Sequence, residues 1–161
     1  MKKQIICAIS LLLCTVFVGC SNDDDTIIYP TSFVDSSVSE FFETEWPTQS
    51  MQPGFFYSNS RGTVYNLINS KKQLQSIYNG EKELPAIDFT ACTLLIGQVQ
   101  VPHSGHSIQK IDLVQTENGL VANIYLKVSD SGYQVITELR FWRLYPKLAS
   151  TDITINVIKS K

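Results

Sequence analysis

The chain opens with a predominantly apolar run, Ile5 to Val18, behind Lys2 and Lys3 and ending in Gly19-Cys20. As a helix this run would span only ~21 Å at 1.5 Å per residue, short of the ~30 Å hydrocarbon core of a bilayer. A basic start and an apolar stretch of this length predict a secretory signal over residues 1–19. The pattern then loses its regularity. Ser21-Asn22-Asp23-Asp24-Asp25 leads into a stretch rich in Ser, Thr and Pro through Gln52. Adjacent carboxylates repel one another and stay solvated, so residues 20–52 read as an acidic tether. Within it the segment 38–46 is ambiguous. Phe41, Phe42 and Trp46 suit either a short helix or an edge strand covering a sheet, ended by Pro47.

From about Gly62 the pattern becomes regular, and residues 53–161 are assigned to one β-rich globular domain. Residues 63–68 are a strand candidate. Ser70-Lys71-Lys72-Gln73 has the form of a capping box, and Leu74, Ile77 and Tyr78 recur at helical spacing. With Asn79-Gly80 as a left-handed stop, this predicts a helix over 71–78. Residues 92–101 carry apolar side chains on both faces (Leu94, Leu95, Ile96), the mark of a central strand covered from two sides. Residues 107–116 and 120–128 flank Glu117-Asn118-Gly119, a strong hairpin signal, and Leu120, Ala122, Ile124, Leu126 and Val128 alternate along the second arm. A turn at 129–132 precedes a strand over 133–145 with Tyr133, Val135, Leu139 and Phe141 on one face. Ile153, Ile155 and Val157 form the last strand. The expected fold class is α+β, an antiparallel sheet of about five or six strands packed with one short helix.

Composition narrows the setting. A chain of 161 residues suits one domain, and 43% hydrophobic residues exclude wholesale disorder. Phe17-Val18-Gly19-Cys20 resembles the lipobox of bacterial lipoproteins, in which the cysteine thiol is acylated and becomes the new N-terminus. Cys20 is the expected lipidation site. Cys7 and Cys14 would leave with the signal, and Cys92 would remain as a buried, inert thiol with no partner for a disulfide. Cleavage leaves 11 of the 13 basic side chains against 15 acidic ones, a charge of −4, with three of the acids adjacent at Asp23 to Asp25. No basic cluster argues for nucleic acid as a partner. The expected location is the outer membrane of a Gram-negative cell, held by the N-terminal lipid. The acidic run behind Cys20 resembles a surface-export signal, and periplasm-facing display is the alternative.

Candidate chemistry is sparse. His103 and His106 are the only histidines and lie three apart in a loop, which makes them weak metal candidates; solvent-exposed turn residues are the plainer expectation. Asp88 and Asp112 carry no sign of meeting as a catalytic pair, and Asp88 reads as a turn or cap. Gly97 marks a bulge or close packing rather than a phosphate cradle. No nucleophile elbow is present. No cofactor and no enzymatic activity are expected. In Phe141-Trp142-Arg143-Leu144-Tyr145 strand alternation places Trp142 opposite Phe141. Trp142 and Tyr145 are therefore the candidate partner-binding residues, unless a second layer such as 38–46 covers Trp142.

Several stretches are similar to the protease-complex lipoprotein PrcB family. Residues 64–74, Val-Tyr-Asn-Leu-Ile-Asn-Ser-Lys-Lys-Gln-Leu, resemble the start of its helix. Ile87-Asp88-Phe89 followed by Leu94-Leu95-Ile96-Gly97 resembles its next strand, and Ser104-Gly105-His106-Ser107-Ile108 resembles the approach to the strand after that. The resemblance implies a lipoprotein domain that associates with other proteins, in that family within a surface protease complex. It lies in structural motifs and carries no catalytic residue. The expected function is a lipid-anchored protein-binding or scaffolding module, an accessory subunit of a protease complex in its finer form. The alternative is a glycan-binding or hydrolytic accessory lipoprotein that uses its surface aromatics.

Overall fold

Cys92–Val101 is the strand on which the rest is assembled, because its two faces serve two different cores. Leu95, Val99 and Val101 enter one and Leu94 and Ile96 enter the other. The computed structural model of the chain describes residues 27–48, 54–57, 61–129, 132–150 and 152–160. In chain order the elements are β1 (Ile27–Tyr29), α1 (Ser36–Glu45), β2 (Val64–Ile68), α2 (Lys71–Ile77), β3 (Cys92–Val101), β4 (His106–Thr116), β5 (Gly119–Val128), β6 (Thr137–Pro146) and β7 (Ile153–Ser160).

The β-rich α+β expectation holds in outline, but the single antiparallel sheet does not. There are two sheets, one of four strands in the order β1-β4-β5-β7 and one of three in the order β2-β3-β6. They face each other across a core of Leu95, Val99, Leu113, Ile124, Leu126, Leu139 and Phe141, among others. The two helices cover the far side of the three-stranded sheet, over Phe42, Trp46, Phe56, Leu74 and Ile96. The result is three layers with β3 in the middle.

One pair is parallel. β5 runs alongside β7 from Leu120↔Ile153 to Lys127↔Ser160. Between them the chain crosses to the other sheet as β6, which runs antiparallel to β3. One return strand brings the chain back to the starting end, so β7 has to run in the same direction as β5. The β4–β5 hairpin forms as expected, with Thr116 paired to Gly119 and Gly119 at φ +115°, a conformation glycine adopts without strain.

Residues 27–48 of the expected tether belong to the fold. α1 buries Val38, Phe41, Phe42 and Glu45, the i, i+3, i+4, i+7 stripe of an amphipathic helix. Asp35 caps it, accepting from the Ser37 amide at 2.8 Å. The Ser21–Asp25 acidic run and the signal segment, by contrast, lie outside the described residues. In α2 Ser70 accepts from the Gln73 amide at 3.2 Å, and the Gln73 side chain accepts from Asn69 at 2.7 Å. The helix does not end in a left-handed stop. Tyr78 turns extended, at φ −92° and ψ 132°, and bridges Phe56. The strand expected from Tyr133 starts only at Thr137, because 132–136 is a loop held against Ser104 through Ser104 N–H to Tyr133 O at 3.1 Å.

Candidate functional site

β6 decides the fate of the aromatic candidates. Alternation turns Leu139, Phe141 and Tyr145 toward the inter-sheet core and Trp142 and Leu144 toward the helices. Tyr145 is 0% exposed, so it presents no ring to a partner or a sugar. Trp142 is half-buried, and its ring stacks on Phe42 at 4.7 Å and 22°. The second layer that covers it is α1, the helical form of the 38–46 segment. A binding platform of Trp142 with Tyr145 is therefore not formed, since the two rings lie on opposite faces of one strand.

The phenolic oxygen of Tyr145 is buried without a hydrogen-bond partner among the described residues, and burial pushes its ionisation up to about 12. Tyr78 is likewise pushed up to about 12, by burial first and then by its 2.8 Å hydrogen bond to Glu45. Tyr57, which donates to Ile96 O at 2.9 Å, is also shifted upward by burial. A tyrosine whose folded pKa is raised binds its proton more tightly when folded. Its contribution is intact below about pH 10 and is lost as pH rises through 12. Melting temperature followed between about pH 9 and 12 is expected to fall once pH exceeds 10, with a step of tyrosinate absorbance from the buried rings accompanying unfolding. A melting temperature that stays level across that range would contradict the burial of these rings.

His103 and His106 do come together, their ring centroids 4.1 Å apart. They are not the solvent-exposed turn residues expected: His106 is buried and His103 half-buried. His103 Nδ1 accepts from the Gly105 amide at 3.2 Å, while His106 Nδ1 lies 3.1 Å from the His103 carbonyl, the geometry of a donor. Among the described residues no third His, Cys, Asp or Glu completes a ligand set. The turn that carries the pair is joined to the chain beyond β5 through Gly105. Ser129 donates to Gly105 O at 2.8 Å, and a Cβ on Gly132 would collide with the Gly105 backbone.

The remaining polar candidates stay apart. Asp88 accepts from the amide and hydroxyl of Thr90, which hold its carboxyl below the usual carboxylate range. Asp112 pairs with Lys110 at 2.6 Å on the outer face of the four-stranded sheet. Cys92 is a partly buried free thiol, 3.9 Å from Ser32 Oγ. An open depression of about 430 Å³ beside α2 is lined by Lys71 and residues 85–89, with Asp88 already engaged by Thr90. Sequence reasoning missed Glu45, a buried carboxylate that takes the Tyr78 hydroxyl and Lys82 Nζ at 3.0 Å. Its position on the apolar stripe of α1 was the available signal.

Two surfaces remain open. β7 is an edge strand of eight residues, paired with β5 on one side and with no strand among the described residues on the other. Val157 shares the core-facing parity of Ile153 and Ile155 yet is 40% exposed. Exposed apolar side chains also gather at two ends of the fold. Tyr133, Val135 and Ile136 lie in the β5–β6 loop, and Ile27, Ile28 and Phe33 lie around β1. Cys20 lies outside the described residues, and no helix among those described is long and apolar enough to cross a membrane. Comparison of the chain with protein-family models, with curated proteins and with solved structures found no match.

Proposed function

We propose that the chain is a lipid-anchored envelope or cell-surface protein that works as a protein-binding or scaffolding module. The observation that carries this reading is the outer edge of β7. An eight-residue edge strand of mostly β-branched residues, Ile-Thr-Ile-Asn-Val-Ile-Lys-Ser, with no strand among the described residues on its outer side, offers main-chain donors and acceptors to an extended segment of another protein. Proteins usually blunt such an edge with proline, a bulge or a covering loop. Among the described residues no proline, bulge or covering loop interrupts 153–160, Lys159 is its one charged side chain, and Val157 sits half-covered where an added strand would complete its packing. The lipid anchor rests on the Phe17–Cys20 motif. The likeness of 64–108 to the PrcB family favours an accessory place in a protease complex as the finer form of the same reading.

A lysine at Val157 puts a charge on the core-facing side of the edge, a device that disfavours strand addition. The site is exposed enough for the isolated fold to accept it. In pull-downs from gently solubilised envelopes, Val157→Lys is expected to recover the protein partner about tenfold less than wild type, a loss of ~1.4 kcal/mol. The melting temperature should change little. Equal recovery by both proteins would remove the β7 edge as the docking site.

A further inference from the structure

We infer that the corner of the fold around β1, with Ile27, Ile28 and Phe33, rests on the lipid surface that holds the acyl chains of Cys20, and that the β5–β6 loop points away from it. The inference rests on the lipid-anchor reading proposed above. It follows from how little chain separates the anchor from the folded body. Six residues, Ser21 to Thr26, lie between Cys20 and Ile27, and fully extended they reach at most ~25 Å. The start of β1 is therefore held within ~25 Å of the anchor, whereas a tether running to residue 52 would have let the domain move much farther away.

The side chains found there suit that contact. Ile27 and Ile28 are 58% and 60% exposed, and Phe33 is 92% exposed. They sit at one end of the sandwich. Ile27 is level with Gln115, next to the β4–β5 turn, and Ser32 donates to Leu144 O close to the end of β6. Aromatic and aliphatic side chains at the water–hydrocarbon boundary gain burial without needing to span it. Asp23, Asp24 and Asp25 in the link would be repelled by a dense anionic surface. The contact is therefore assigned to apolar insertion among zwitterionic headgroups, with no electrostatic attraction invoked.

The opposite corner provides the control. Lys159 pairs with Leu126, six residues along β5 from the Leu120 that faces Gln115, and three strands across from β1. At ~3.4 Å per residue and ~4.8 Å per strand, that is roughly 25 Å from Ile27. Tyr133, Val135 and Ile136 lie at that same far end, where β5 finishes and β6 begins. Seated this way, the molecule turns its second apolar loop toward the medium.

The test uses the full-length lipidated protein in phosphatidylcholine vesicles containing lipids brominated on their acyl chains. Phe33→Cys and Lys159→Cys are each labelled with an environment-sensitive fluorophore, and the parent protein, with Cys92, sets the labelling background. The inference expects the label at position 33 to be quenched several-fold more than the label at 159. Equal quenching at both positions, in a protein that floats with the vesicles and carries acyl chains, would overturn the orientation and leave the anchor standing. A wild-type protein that neither incorporates labelled palmitate nor floats better than Cys20→Ser would overturn the anchor, and the inference with it.

Discussion

Phe42→Ala is expected to destabilise the protein by about 3–5 kcal/mol, the cost of a fully buried phenylalanine replaced by a cavity. Phe42 is 0% exposed and is the hub of the helix layer. Its ring meets Phe41 edge-on at 5.3 Å, lies stacked on Phe56 at 5.8 Å and stacks on Trp142 at 4.7 Å. Removing it opens a hole between α1 and β6 at the centre of the ring cluster. Urea denaturation should show a lower midpoint with an unchanged slope, and the melting temperature should drop by roughly 10–20 °C. A loss below about 1 kcal/mol would mean that α1 does not seal the three-stranded sheet. The result also bears on the membrane geometry, since the short link between Cys20 and Ile27 matters only if the chain is held in the fold from β1 onward.

Gly97→Ala is the second large effect, expected at the upper end of the ~1–3 kcal/mol range for overpacking a closed core. Gly97 sits in the middle of β3, directly between Tyr65 on β2 and Phe141 on β6. A Cβ there would lie 2.5 Å from Val64 O, 2.7 Å from Tyr65 Cβ and 2.8 Å from Phe141 Cζ. Two of these contacts are with main chain or a Cβ and cannot swing aside. The carbonyl of the same residue accepts the Trp46 indole N–H at 3.1 Å, so a shift of β3 would also disturb the attachment of α1. Gly97→Ala should lower the denaturation midpoint. A variant as stable as wild type would show that the strands can separate locally at this row. The register through Gly97 is continuous on both sides, so close packing, and not a bulge, is what the glycine serves.

What was legible in the sequence followed from local chemistry. β3 and its two-faced burial, the β4–β5 hairpin, the alternating arm of β5 and the capped start of α2 all depend on residues within a few positions of one another. The elements that were missed depend on distant partners. β1 is three residues long and exists because Ile27–Tyr29 add to β4 at Leu113–Gln115. α1 was ambiguous because nothing in its own nine or ten positions says that a sheet lies beneath it. The helix end at Tyr78 follows a bridge to Phe56 in place of the Asn-Gly signal next to it. His106 is buried in a turn to which Ser129 and Tyr133 bond through Gly105 O and Ser104 N–H, an arrangement no spacing of two histidines announces.

For the candidate site the division is sharper. The sequence by itself determined the order of apolar and polar positions, and with it that Trp142 and Phe141 face opposite ways on one strand. The lipobox proposed at Phe17–Cys20 rests on local pattern alone and lies outside the described residues. Only the tertiary structure decided that both faces of β6 are covered, one by the four-stranded sheet and the other by α1. It also decided that β7 is left as an edge parallel to β5, and that Ile27, separated from the proposed anchor by six residues, already belongs to the fold. The physical reason is that alternation and turn chemistry are properties of neighbours along the chain, whereas burial is a property of whatever packs on top.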